Sequence, residues 1–330
     1  MNAHLLAAVF SLLVCLPCLA GGEAKSASPP QKIIVGLYLN EILEVHLDQD
    51  YFVADFWLWF RWEASDAGNL AAGNYSAFDN LEIIDGQVTD KIGFHREQIG
   101  GTFLESARII AKITHRFNMR SYPFDSHILM IRIEAIDKPK SQLEFVADNS
   151  GSGVSPNVEL PGWAVKIRPL EIFTHNYQTD FGHIGTGRER SIDFSQFRFS
   201  FLLRKPIVLS VFKTLWATFL ATLVALLVLF LKPSTRRVGL SIGALFTAVA
   251  AKISIASGVQ SMAQFGFTDA IQLVSGIIIF LSIAHSIWVC HRIETGKSCE
   301  EAARRDDLRG AGFLFITYII LVSALFGFYT

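Results

Sequence analysis

"RFNMRSYPFDSH", residues 116–127, sets Tyr122-Pro123-Phe124-Asp125 between two apolar runs. The run before it, "SARIIAKIT" (106–114), alternates as a strand does. The run after it, "ILMIRIEAI" (128–136), alternates more clearly. Ile131, Ile133 and Ala135 fall on one face and Arg132 and Glu134 on the other. The stretch therefore predicts a reversal between two strands, with Pro123 fixing φ and removing a backbone donor. No cysteine brackets it, although two aromatics and an acid sit at its tip.

Around this reversal the composition divides in two. The chain has 330 residues, 51% hydrophobic and 18% charged, with a net charge of −1. That balance gives no case for nucleic acid as a partner. Residues 30–200 have the pattern of an aqueous β-rich domain, whereas 207–329 are dominated by long apolar runs, as in a lipid-embedded domain. The opening "MNAHLLAAVFSLLVCLPCLAGGEA" (1–24) has the pattern of a secretory signal with a weak n-region, followed by a polar tether. A fifth membrane helix is the alternative. Of the four cysteines, Cys15 and Cys18 would leave with a cleaved signal. Cys290 and Cys299 remain, so a domain over 30–200 has no internal disulfide and must hold by core packing.

Residues 32–62 predict two strands broken at "HLDQD", with Phe56, Leu58 and Phe60 opposing Trp57, Trp59 and Arg61 and both faces largely buried. Further strands are expected near 81–84, 91–95, 102–114, 128–136, 142–146, 162–175 and 191–203. Many short strands with turns between them predict a β-sandwich.

Four membrane-length segments follow, at about 207–231, 238–258, 271–290 and 311–329. The first and third links are basic, with Lys232, Arg236 and Arg237 in one and Arg292, Lys297, Arg304, Arg305 and Arg309 in the other. The middle link has no Lys or Arg. Basic links face the cytoplasm, which places the β domain outside.

The second segment differs in kind, because small and polar residues intrude throughout. At 100° per residue from Gly239, Gly243 falls near about 40°, Phe246 about −20°, Ala250 about 20°, Ile253 about −40° and Ser257 about 0°. One face is thus Gly, Gly, Phe, Ala, Ile, Ser. A close helix–helix seam would also use small residues. A pore lining explains in addition the single bulky Phe246 on a small face, which would exclude water when copies surround a narrow path. Lys252 lies on the back of the helix and calls for a partner, for which Asp269 is the candidate.

These features together resemble the pentameric ligand-gated ion channels, the Cys-loop receptor superfamily, over nearly the whole chain after the signal. "YPFDSH" is similar to the signature loop, "FLLRKP" (201–206) to the segment entering the first helix, "FWLWFRW" (56–62) to the second strand, and "RRVGLSIGALF" (236–246) to the inner half of the pore helix. His115 and Leu129 stand where animal members carry the two loop cysteines, which looks like the bacterial branch. The resemblance implies an extracellular or periplasmic antiparallel β-sandwich followed by a four-helix transmembrane bundle, assembled as a homopentamer in the bacterial inner membrane. Domains follow as signal 1–24, ligand-binding domain 25–206 and pore domain 207–330.

The resemblance also implies roles. Tyr122, Pro123, Phe124, Asp125 and Arg204 would couple the domains, with Asp125 meeting Arg204. Trp57, Tyr177 and Phe181 would bind a small-molecule agonist. Gly239, Gly243, Phe246, Ala250, Ile253 and Ser257 would line the pore, with permeating inorganic ions and membrane lipids as further partners. Arg236 and Arg237 at the inner mouth, where cation channels carry acids, would favour anions. Three departures stand against the pattern: no proline inside the first helix, no aromatic in the loop 147–157, and no acidic ring at the mouth.

A cation-conducting relative, or a non-conducting membrane-anchored sensor, is the alternative function. No H-E-x-x-H, G-x-S-x-G or P-loop pattern supports an enzyme, and no cofactor is implied. His175 and His183, which flank a loop, are a weak signal for a metal, and none is expected. His285, mid-membrane, is either functional or a helix–helix hydrogen bond.

Overall fold

The computed structural model describes residues 29–63, 75–179, 181, 191–258, 265–297 and 299–329; the expected signal at 1–24 and His183 lie outside the described residues. Two long strands begin the fold, β1 (Gln31–His46) and β2 (Tyr51–Glu63). They pair antiparallel, and their period-two alternation sends Ile33, Val35, Leu37, Phe52, Phe56 and Phe60 into the core. β3 (Leu81–Ile83), β4 (Gly86–Ile99), β5 (Thr102–Thr114), β6 (Ser126–Ala135), β7 (Leu143–Ala147), β8 (Gly153–Val154), β9 (Ala164–Ile167), β10 (Glu171–Tyr177) and β11 (Ile192–Arg204) follow.

One sheet runs β4-β5-β2-β1-β7, with β8 also on β1; the other runs β10-β11-β6-β3, with β9 on β11. Side chains of both sheets share one core, in which Phe52 meets Phe201 edge to face at 5.9 Å. β7 and β8 join β1 in parallel, so the sandwich is antiparallel only in the main.

Three expectations change. Residues 162–175 form two strands rather than one, because Pro169 cannot donate to a ladder; β9 and β10 pair with different parts of β11. β4 is far longer than 91–95. It is an edge strand, exposed along most of its length and bulged near Val88 and Ile92, so no apolar alternation marks it. Only one face of β2 is buried: Trp57 is 39% exposed and Trp59 and Arg61 are half-buried.

Four helices follow: α1 (Ile207–Leu227), extended by a 3-10 turn (Val228–Phe230), α2 (Thr235–Gly258), α3 (Phe267–Glu294) and α4 (Glu300–Tyr329). Each is long and apolar enough to cross a membrane. α4 starts well before the expected 311. Its buried stripe, Ala303, Asp307, Ala311, Leu314 and Tyr318, keeps helical spacing through the charged segment.

That stripe carries the bundle's strongest polar tie. Arg237, 1% exposed on α2, makes a bidentate pair with Asp307, Nη1 to Oδ2 at 2.7 Å and Nη2 to Oδ1 at 3.0 Å. Arg237 Nη2 also donates to the Ser286 carbonyl on α3 at 3.4 Å, and His285 Nε2 lies 3.3 Å from Asp307 Oδ1. Removing one partner strands a buried charge, whereas replacing both by apolar groups does not. Asp307→Ala should therefore destabilise the protein by about 3–5 kcal/mol in denaturant unfolding in mild detergent, and Arg237→Met/Asp307→Leu should recover most of that loss.

His285 is wedged over Gly310, where an added Cβ would stand 2.7 Å from its ring. A Cβ at Gly312 would meet nothing within 4 Å. Gly310→Ala should lower stability by about 1–3 kcal/mol through overpacking. Gly312→Ala should be neutral or gain up to about 1 kcal/mol of helix propensity, as apparent melting temperatures would show.

Candidate functional site

α2 is tied to the bundle along one face by Arg237, Ser241 and Ala244, all buried. The opposite face is the predicted stripe. Gly239, Gly243 and Ala250 are exposed, Phe246 is 70% exposed and Ile253 65%. The side chain of Ser257 lies outside the described residues. Only 11% of the membrane-length window of α2 is buried in the chain, against 39% for α1, so α2 has the most surface left for something other than its own bundle.

Arg236 and Arg237 separate. Arg236 is exposed beside the stripe, while Arg237 is consumed by Asp307. Sequence reasoning placed both at the mouth because Asp307 belonged to an expected link. Extending the Ala311–Leu314–Tyr318 stripe backwards by four residues would have found it. Lys252 and Asp269 line one cavity between α2 and α3 without forming an ion pair; Asp269 instead accepts from the Gly266 N–H at the start of α3, at 3.2 Å.

The second assembly of interest is the junction between domains. Residues 115–125 link β5 to β6 and rest on the helix ends. The Phe267 N–H donates to the Arg120 carbonyl at 3.0 Å, and Ser121 Oγ donates to the Tyr329 carbonyl at 3.3 Å. Gly266 suits this close approach, since a Cβ would stand 3.2 Å from the Arg120 carbonyl oxygen. Phe124 enters the cluster of Leu215, Phe267 and Ile271, with ring centroids 4.8 Å from Phe267 and 6.4 Å from Phe326. The Tyr122–Pro123 bond is cis.

Asp125, 3% exposed, does not meet Arg204 as expected. Its Oδ2 is 2.5 Å from His127 Nε2, and Lys205 Nζ stands 3.8 Å from its Oδ1. The register explains this. Arg204 pairs across β11–β6 with Ser126 and its side chain is exposed, whereas Lys205, one residue on, turns inward between the rings of Tyr122 and Trp163, 4.4 Å from each centroid. Burial pulls the Lys205 ammonium below its ordinary range, with Asp125 opposing.

The third group is aromatic. Tyr177, Phe181 and Phe194 stack edge to face, with Tyr177 at 5.2 Å from Phe181 and 5.6 Å from Phe194. Phe181 takes a positive φ of 52°, costly for a bulky side chain. Behind them the buried carboxylate of Glu134 accepts from Tyr177 Oη at 3.0 Å, touches His175 Nδ1 at 2.6 Å and binds Gln196. Burial first, then Glu134, pushes the Tyr177 phenol up. Trp57 lies on the other sheet, beside Arg108, and is not brought to this cluster within one chain. Phe194 and Glu134 were not singled out from sequence as site residues, although the alternation of β6 put Glu134 on the face opposite Ile131 and Ile133.

No family model matches the chain, and no curated protein matches it.

His115, near a position the resemblance would give to a cysteine, lies 6.3 Å from His127. Burial, then His127 and Arg132, lowers its pKa against the pull of Asp50. A histidine whose folded pKa is depressed contributes stability above its unfolded value of about 6.5 and loses it as the pH falls through the folded value. Melting temperature should therefore drop as the pH falls below about 6.5, above the range in which Asp55 and Asp148, both held low by their partners, titrate. His115→Gln should flatten that limb; an unchanged limb would assign it to another group.

Proposed function

We propose that this chain is the subunit of a homopentameric ligand-gated ion channel of a bacterial inner membrane, with the β domain outside and α2 lining the pore. The observation that carries the reading is the divided surface of α2. One face is locked into the bundle by a buried ion pair, and the opposite face offers small residues and one phenylalanine to open space. Five such faces around an axis would enclose a narrow path, with Phe246 as its hydrophobic constriction. A second support is the junction, where the loop 115–125 touches both α3 and α4, so a shift of the sandwich is felt by the helices.

Tyr177, Phe181 and Phe194 from one copy and Trp57 from the next would face a small-molecule agonist. Their placement on different sheets supports a site shared between neighbours. Burial of Arg237 leaves one guanidinium per chain, Arg236, to raise the energy of a cation at the inner mouth. Anion preference follows in this reading with less charge behind it, which keeps the cation-conducting form of the same channel as the second reading.

The test is current across planar bilayers from the purified protein, challenged with small amines, amino acids, divalent metals and pH. Currents should appear with one of these probes and reverse near the chloride potential. Phe246→Ala should raise the resting leak. A reversal that follows cations would select the second reading. Silence of both proteins under every probe would favour a membrane-anchored sensor.

A further inference from the structure

α1 and α3 flank α2 and run in the same direction, since both start at the junction with the sandwich. Their relative height is fixed at two points. Leu215 clusters with Phe267 and Ile271, and Ser282 Oγ donates to the Ala225 carbonyl at 2.7 Å. Ile271 lies 56 positions after Leu215 and Ser282 lies 57 after Ala225, so a residue of α1 shares its height with the α3 residue 56 or 57 positions on.

That register aligns two stripes of identical helical spacing. On α1 stand Lys213, Ala217 and Leu220; on α3 stand Asp269, Leu273 and Gly276. Each member of the first is 56 positions before its counterpart in the second. The stripes cannot meet within one chain, because Lys213 and Ala217 line a cavity on one flank of α2 and the α3 stripe lines a cavity on the other. Lys213 is exposed and has no ion pair among the described residues. It lies about 9 Å along α1, where an ammonium facing lipid is costly without a partner. Asp269 is the one acid in the junction-side half of the four helices among the described residues. It accepts the Gly266 N–H, and a carboxylate has room for further donors.

A ring closed around the exposed face of α2 brings the α1 flank of one copy against the α3 flank of the next, and rotation about the axis keeps every residue at its height. We infer that Lys213 of one copy forms an ion pair with Asp269 of its neighbour, and that Leu273 packs over Ala217 and Leu220 over Gly276 in the same register. Charge meets opposite charge, and at both apolar steps a large side chain meets a small one. The space over Gly276 is open in the single chain: an added Cβ would meet nothing within 4 Å, while Leu220 and Leu273 are exposed. This inference rests on the ring of copies proposed above and not on conduction.

The experiment is disulfide trapping of the full-length protein, with its cysteines first replaced by serine, beside native mass spectrometry of the same preparation. Lys213→Cys/Asp269→Cys and Leu220→Cys/Gly276→Cys should each give an oxidant-dependent ladder up to five copies on non-reducing gels. Lys213→Glu and Asp269→Lys should each cut the pentamer fraction about tenfold, and the double reversal should restore it. Gly276→Leu, whose side chain enters open space in the single chain, should fold and still lose the pentamer. A pentamer by mass with no ladder from either pair would overturn the register and leave the ring standing. A monomer by mass in the unsubstituted protein would remove the ring and this contact together. Restoration by Lys252→Glu/Asp269→Lys in place of the Lys213 pair would give Asp269 to the lysine of its own cavity and overturn the ion pair.

Discussion

The contact between Phe124 and the helix ends is the constraint on which the two-domain architecture depends. A sandwich and a membrane bundle fold by different solvents: one buries apolar faces against itself, the other sits in lipid. They share little apolar surface, so their relation is set where one element enters the other. Phe124 does so, packing into Leu215, Phe267 and Ile271, while the Phe267 N–H and the Ser121 hydroxyl donate the hydrogen bonds that fix the loop on either side. Phe124 is half-buried, so it contributes less than the roughly 1.5–3 kcal/mol of a fully buried phenylalanine, and it orients the domain together with those two hydrogen bonds and the covalent link. The same loop carries Asp125, so the apolar anchor and the buried charge cluster move together.

Buried charge organises the rest. Asp125 with His127 and Lys205 lies at one end of the bundle, and Arg237 with Asp307 and His285 lies toward the other. Neither cluster adds much to stability compared with apolar residues of equal volume, but each penalises every arrangement that separates its members. The helices are thereby held in one relative placement at both ends, with one face of α2 turned in and the other out. The ion pair adds to the packing of Ala244, Val238 and Leu245 in holding the inward face of α2, whose stripe of small residues gives a weak hydrophobic gradient.

What the sequence disclosed follows the strength of periodic signals. The strands β5 and β6 and their reversal were legible because burial on one face forces alternation. The helices were legible because hydrocarbon imposes a minimum length. β4 was legible only at 91–95, since an exposed edge strand has no reason to alternate along its length. The start of α4 was not legible because its first turns are charged, although Asp307 continues the buried stripe at helical spacing. The partner of Asp125 was misassigned by one residue. Adjacent strand residues face opposite sides, so only the register of β11 on β6 decides between Arg204 and Lys205. Contacts between distant elements, such as Arg237 with Asp307 or Tyr177 with Glu134, leave no local pattern in a single sequence.

The most direct test is a double-mutant cycle between Phe124 and Phe267, read from reversible denaturant unfolding in mild detergent. If the loop anchors the sandwich on the bundle through this aromatic pair, Phe124→Ala and Phe267→Ala should be non-additive by about 0.5–1.5 kcal/mol. Additivity within about 0.3 kcal/mol would contradict the account, because the two domains would then be stabilised independently of the contact said to join them.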